Sequence, residues 1–132
     1  MALKMAYFPD LTPYVYGSNY IEGPNGRLVP ADNVGCVNIG WLSTGDVAYP
    51  TSETPDEFRD QLFELVEHPV NLYRGYHRCG WCPNPLVDGN GEIRVPGANG
   101  TIYVAPTMIY HYVAVHDYRP PDEFIAAVMA TI

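Results

Sequence analysis

The sequence predicts an α+β fold, a small antiparallel sheet packed with about three helices and joined by many loops. Two kinds of periodicity occur in separate segments, alternation suited to strands and 3.6-residue spacing suited to helices. In addition, 13 Pro, 12 Gly and 11 Tyr in 132 residues place much of the chain in turns. The length suits one core, so residues 1–132 are expected to form a single domain.

The elements follow in chain order. "PDLTPYVYG" and "EGPNGRLVPADN" are rich in Pro, Gly and Asn and predict an irregular N-terminal layer, with a short strand around Tyr14–Tyr16. In Val34–Leu42 the residues Val37, Ile39 and Trp41 alternate with Cys36, Asn38 and Gly40, which predicts a strand with one apolar face. Thr54 as N-cap, Pro55 at the first helical position and Glu57 completing a capping box then announce a helix over Phe58–Glu67. Its apolar residues Phe58, Leu62, Leu65 and Val66 share a face, and Pro69 stops it. Glu92–Val95 and Thr101–Val104 flank a Pro-Gly-Ala-Asn-Gly turn and read as a hairpin. Pro106 opens a helix to about His116, and Pro121 opens a last one whose Phe124, Ile125 and Val128 dock it in the core.

Charge narrows the partners. With 7 Lys and Arg against 15 Asp and Glu, the net charge of −8 disfavours a nucleic-acid backbone, which needs clustered cations. The acids concentrate between Asp46 and Glu67, where Arg59 is the single cation, so Asp56, Asp60 and Glu64 are candidate contacts for a basic protein partner. No apolar run approaches the roughly 18 residues of a membrane span, and "MALKMAYFPD" lacks the apolar stretch of a secretion signal. The expectation is a cytoplasmic protein, in which a close pair of cysteines serves a metal or redox site rather than a disulfide.

The segment that carries chemistry is "YRGYHRCGWCPNP". Cys79 and Cys82 form a C-x-x-C turn, which presents two sulfurs to one ion, and zinc prefers such thiolates completed by imidazoles. Two further ligands are needed. His77 is closest in sequence and His111 next; His116 and Cys36 are further candidates. His111 and His116 are five residues apart on the expected helix, about 140° around its axis, so at most one of them is expected to face the cysteines. The expected ligand set is therefore His77, Cys79, Cys82 and His111. The same residues could instead be ordinary hydrogen-bonded side chains around reduced thiols. A thiol oxidoreductase would want its first cysteine at a helix N-terminus, whereas Pro83 and Pro85 follow at once.

Four segments, "FPDLTPY", "RGYHRCGWCP", "GEIRVPG" and "YVAPTMIYHYVAVHDYRPPDEFIAAV", together resemble a small domain family of uncharacterised bacterial proteins with no established activity. The resemblance covers most of the chain in the same order and implies a bacterial cytosolic setting. Its H-x-C-x-x-C falls on His77, Cys79 and Cys82, and "IYHYVAVHDYRPP" supplies His111 and His116.

Other constellations are thinner. "DGNGE", Asp88–Glu92, begins like a calcium loop but lacks the remaining ligands and reads as a turn. Ser18, Ser43 and Ser52 sit in no nucleophile elbow, and no Gly-rich loop opens a helix as phosphate sites require. Tyr103, Tyr110, Tyr112 and Tyr118 form either an aromatic wall or the edge of a core. The reading reached is a non-enzymatic interaction or accessory domain with a structural Zn²⁺ site at H-x-C-x-x-C. Two alternatives stay open: an acidic inhibitor or immunity-type protein for a basic partner, and a thiol- or metal-dependent enzyme.

Overall fold

A computed structural model describes residues 7–14, 20–22, 28–30, 35–42, 48–79, 81–82 and 88–132. The strands are β1 (Tyr7–Phe8), β2 (Tyr20–Glu22), β3 (Leu28–Pro30), β4 (Cys36–Asn38), β5 (Trp41–Leu42), β6 (Asn71–Arg78), β7 (Asp88–Pro96) and β8 (Ile102–Pro106). The helices are α1 (Asp56–Val66), α2 (Ile109–His116) and α3 (Asp122–Met129). The class is α+β, as expected. A four-stranded sheet in the order β4-β8-β7-β6 forms its centre, and the pairs β1-β5 and β2-β3 stand beside it. The central sheet is mixed rather than purely antiparallel. β6, β7 and β8 form an antiparallel meander, but β4 joins β8 in parallel, with Cys36 opposite Ile102 and Asn38 opposite Val104.

The two faces of this sheet are buried by different layers. Ile93, Val95, Tyr103 and Ala105 face the helices and pack with Phe58 and Leu62 of α1, Tyr112 and Val113 of α2 and Phe124 and Val128 of α3. The last helix is docked as its spacing implied: Phe124 is fully buried, its ring edge-on to Phe58 at 6.2 Å. The opposite face gathers Tyr14, Cys36, Trp41 and Val104 into a second, smaller core with Phe8 packed against it. The segment before β2 thus forms the N-terminal layer. Its Pro13 makes an isolated bridge to Val37, while Val15 and Tyr16 of the expected first strand lie outside the described residues.

Several local expectations need correction. The strand expected over Val34–Leu42 is broken into β4 and β5 at Gly40, whose φ of +74° suits glycine and where a Cβ would come within 2.8 Å of Ile109. Its alternation does not give one apolar face and one wet face. Cys36 and Asn38 are also buried, because the N-terminal layer covers them; the Asn38 Nδ2 donates to the carbonyl of Thr12 at 3.1 Å. α1 spans Asp56–Val66, one residue later than the Thr54 cap and Pro55 first position expected, and lacks the capping box. Pro55 is its N-cap residue and has no side-chain donor or acceptor to cap it, while Thr54, one residue earlier, accepts from the Arg59 guanidinium at 3.2 Å. Pro106 ends β8 rather than opening α2. The ladder with β7 carries on to Pro106 opposite Glu92, and Thr107 N–H still reaches the Gly91 carbonyl at 2.9 Å. Asp88–Glu92 is likewise strand, the start of β7, and not a turn.

Candidate metal centre

The hairpin and the helix that form the site meet because of where the strands stop. β8 ends at Pro106 opposite Glu92, whereas β7 begins earlier, at Asp88, opposite Arg78 of β6. The paired ends of β6 and β7, Arg78 opposite Asp88, therefore extend past the end of β8. Two residues, Thr107 and Met108, then turn the chain into α2 at that same end of the sheet. The cysteines come from the β6–β7 connection and the histidines from α2.

Cys79 Sγ, Cys82 Sγ and one ring nitrogen each of His111 and His116 all lie within 4.8 Å of one another. Cys79 Sγ is 3.2 Å from His116 Nε2, and Cys82 Sγ is 3.3 Å from His111 Nε2 and 3.4 Å from His116 Nε2. An ion bound tetrahedrally, with bonds of about 2.3 Å to sulfur and about 2.0 Å to nitrogen, separates those atoms by about 3.5 Å. These three sulfur–nitrogen separations are close to that value, and the remaining donor pairs lie within 4.8 Å. All three cysteines of the chain are free thiols.

Both histidines reach the cysteines, which corrects the expectation that at most one would. The 140° separation of i and i+5 describes the Cα positions around the axis, but each Cα–Cβ bond also tilts toward the helix N-terminus. His116, the last residue of α2, leans back toward the first turn, where His111 sits; the two ring centroids are 5.0 Å apart and the rings nearly perpendicular. The backbone stops the helix at this point: Asp117 adopts the left-handed conformation with φ of 55°, and Tyr118 N–H closes on the Tyr112 carbonyl at 3.1 Å.

Trp81, between the two cysteines, roofs the cluster. Its ring centroid lies 5.6 Å from that of His116, 5.8 Å from Tyr112 and 5.0 Å from Tyr49. Tyr49 in turn donates from its hydroxyl to the His116 carbonyl at 3.2 Å. Cys79 is buried and the other three donors are half-buried. Burial, and then the neighbouring His116, push the His111 pKa down, so a proton competes less for the nitrogen a metal would use. The Cys82 thiol is pushed up, by burial first and then by Cys79 beside it. Beside another thiol, Cys82 holds its proton more tightly unless a cation arrives.

The remaining sequence candidates fall as follows. His77 belongs to β6, with its backbone opposite Gly89, and its side chain lies outside the described residues. Cys36 is on the other face of the sheet, in the small core. Of the four tyrosines, Tyr103, Tyr112 and Tyr118 are buried and Tyr110 half-buried, so they pack as core rather than forming an exposed wall. Asp56, Asp60 and Glu64 are exposed on α1; Asp56 pairs with Arg59. Sequence reasoning missed a buried polar group, Glu92, which accepts from the Tyr14 hydroxyl at 2.5 Å and from Arg94 Nε at 2.8 Å. The signal was available: Glu92 and Arg94, two apart on a strand, must share a face. No helix among the described residues is long and apolar enough to cross a membrane.

A family model described as Domain of unknown function (DUF7919) matches residues 6–129, and the chain belongs to that family. No curated protein and no solved structure matches it.

Proposed function

We propose that this member of the DUF7919 family is a non-enzymatic interaction or accessory domain whose Cys79, Cys82, His111 and His116 hold a structural Zn²⁺. The observation that carries the reading is the mutual approach of four soft and borderline donors to within 4.8 Å, from two elements far apart in sequence. Carboxylates are not part of the set, which argues for zinc over the oxygen-seeking Mg²⁺ and Ca²⁺. Four protein donors fill a tetrahedron and leave no position for a substrate or an activated water, which favours a structural over a catalytic role. His77 is not needed to complete this set. The ion would tie the β6–β7 connection to α2 and so fix the end of the sheet.

The interaction half of the proposal rests on α1. Asp56, Glu57, Asp60, Glu64 and Glu67 are all exposed while Phe58 and Leu62 anchor the opposite side, so the acidic face is presented by a rigid element. A basic protein surface is the partner whose chemistry fits, with association faster at low salt.

Metal analysis of protein purified without an affinity tag tests the central reading. One zinc per chain is expected, with a melting temperature that falls on chelation and recovers on adding zinc back. Protein that carries no stoichiometric metal, and that melts unchanged when Cys79 and Cys82 are both replaced by Ser, would overturn it.

A further inference from the structure

A second feature, apart from the four metal donors, is a cleft of about 220 Å³ between the β1-β5 pair and the segment leading to α1. Tyr7, Phe8, Leu42 and Tyr49 give it largely aromatic and apolar walls, and Asp10 contributes a carboxylate. Asp10 is half-buried, and both of its oxygens are occupied by neutral donors. Oδ1 accepts from Gly40 N–H at 2.9 Å, and Oδ2 from the hydroxyl of the fully buried Tyr118 at 2.7 Å. Among the described residues no Lys, Arg or His forms an ion pair with it. Burial raises its pKa, opposed by the hydrogen bonds from Gly40 and Tyr118. A carboxylate has lone pairs for about four hydrogen-bond partners, so capacity remains.

A half-buried anion held in place by neutral groups and flanked by aromatic rings is complementary to one kind of ligand. An inorganic cation would lose its hydration shell to a single carboxylate among hydrocarbons, and an anion would be repelled. An organic ammonium group loses less on leaving water and gains from the negative faces of aromatic rings. We propose that this cleft binds the ammonium head group of a small organic cation, with Asp10 as its counter-ion and Tyr7 and Tyr49 as the rings beside it.

Tyr49 makes the cleft adjacent to the metal centre, since the same ring touches Trp81 and Tyr118. The proposal nevertheless stands without the metal, and its test separates the two. Choline and its uncharged isostere 3,3-dimethylbutan-1-ol are titrated into the full chain at millimolar concentration while tyrosine ring resonances are followed by NMR. Choline is expected to shift the rings of Tyr7 and Tyr49 saturably and to bind at least about tenfold more tightly than the alcohol. Asp10→Asn should erase that preference. If Asp10→Asn does not fold, Tyr7→Ala, at an exposed ring, decides instead by weakening choline several-fold at an unchanged melting temperature. Equal binding of choline and the alcohol, or no shift with either, would overturn the proposal. Metal content does not enter either result.

Discussion

The two faces of the central sheet each bury a polar cluster, and they solve the problem differently. On the N-terminal face, Glu92 is wholly buried but meets the Arg94 guanidinium and the Tyr14 hydroxyl, so its charge is neutralised within the protein. Arg94 also lies 5.5 Å over the Tyr14 ring, and the burial and hydrogen bonding of Tyr14 push its pKa up. At the helical face the cluster consists of two thiols and two imidazoles, whose contacts with one another are weak hydrogen bonds. The first cluster is complete as a chain of amino acids. On the proposal above a cation completes the second, and the difference would then separate a polar network that belongs to folding from one that belongs to a ligand.

The largest expected effect comes from breaking the self-sufficient cluster. Arg94→Met would leave Glu92 buried without its cation and should cost about 3–5 kcal/mol in a denaturant titration. Adding Glu92→Leu should return much of that, because removing both partners leaves no orphaned charge. Should the single and double variants be equally unstable, the network acts through packing alone. Next in size is the metal cluster. Chelating zinc from protein kept at about 100-fold excess over Kd should remove about 2.7 kcal/mol of stability, read by the same titration. Affinity should also fall with acid, since thiols must lose protons to bind; a pH-independent affinity would exclude Cys79 and Cys82 as ligands. Smallest is the outer face of α1. Replacing Asp56, Asp60 and Glu64 by Lys should change stability by no more than about 0.5 kcal/mol per site, because all three are exposed. A large drop in melting temperature would make that face structural and remove it as a partner surface.

Much of the frame was legible in the sequence because it rests on local rules. Pro55 and Pro121 mark the starts of α1 and α3, and the Gly97–Thr101 turn marks the β7–β8 hairpin. The C-x-x-C turn and His111 were readable from donor chemistry alone. What escaped depends on contacts between distant segments. The parallel pairing of β4 with β8 has no local signature, and neither has the packing of residues 7–14 over Cys36 and Asn38, which buries a side that alternation would leave wet. The capping box failed because the helix starts one residue later, which makes Pro55 and not Thr54 the N-cap. A helical-wheel argument disfavours His116 because it ignores side-chain tilt, although a terminal residue that leans back along its helix reaches further than its angle implies.

The most direct test of the account replaces zinc by Co²⁺ and reads the visible and near-ultraviolet spectrum. A site made of Cys79, Cys82, His111 and His116 should take up one Co²⁺ per chain. It should show the intense d–d bands of a tetrahedral ion together with thiolate charge transfer, and lose them in Cys79→Ser and His116→Ala but keep them in His77→Ala. A weak octahedral spectrum, or one that survives His116→Ala and vanishes in His77→Ala, would contradict it.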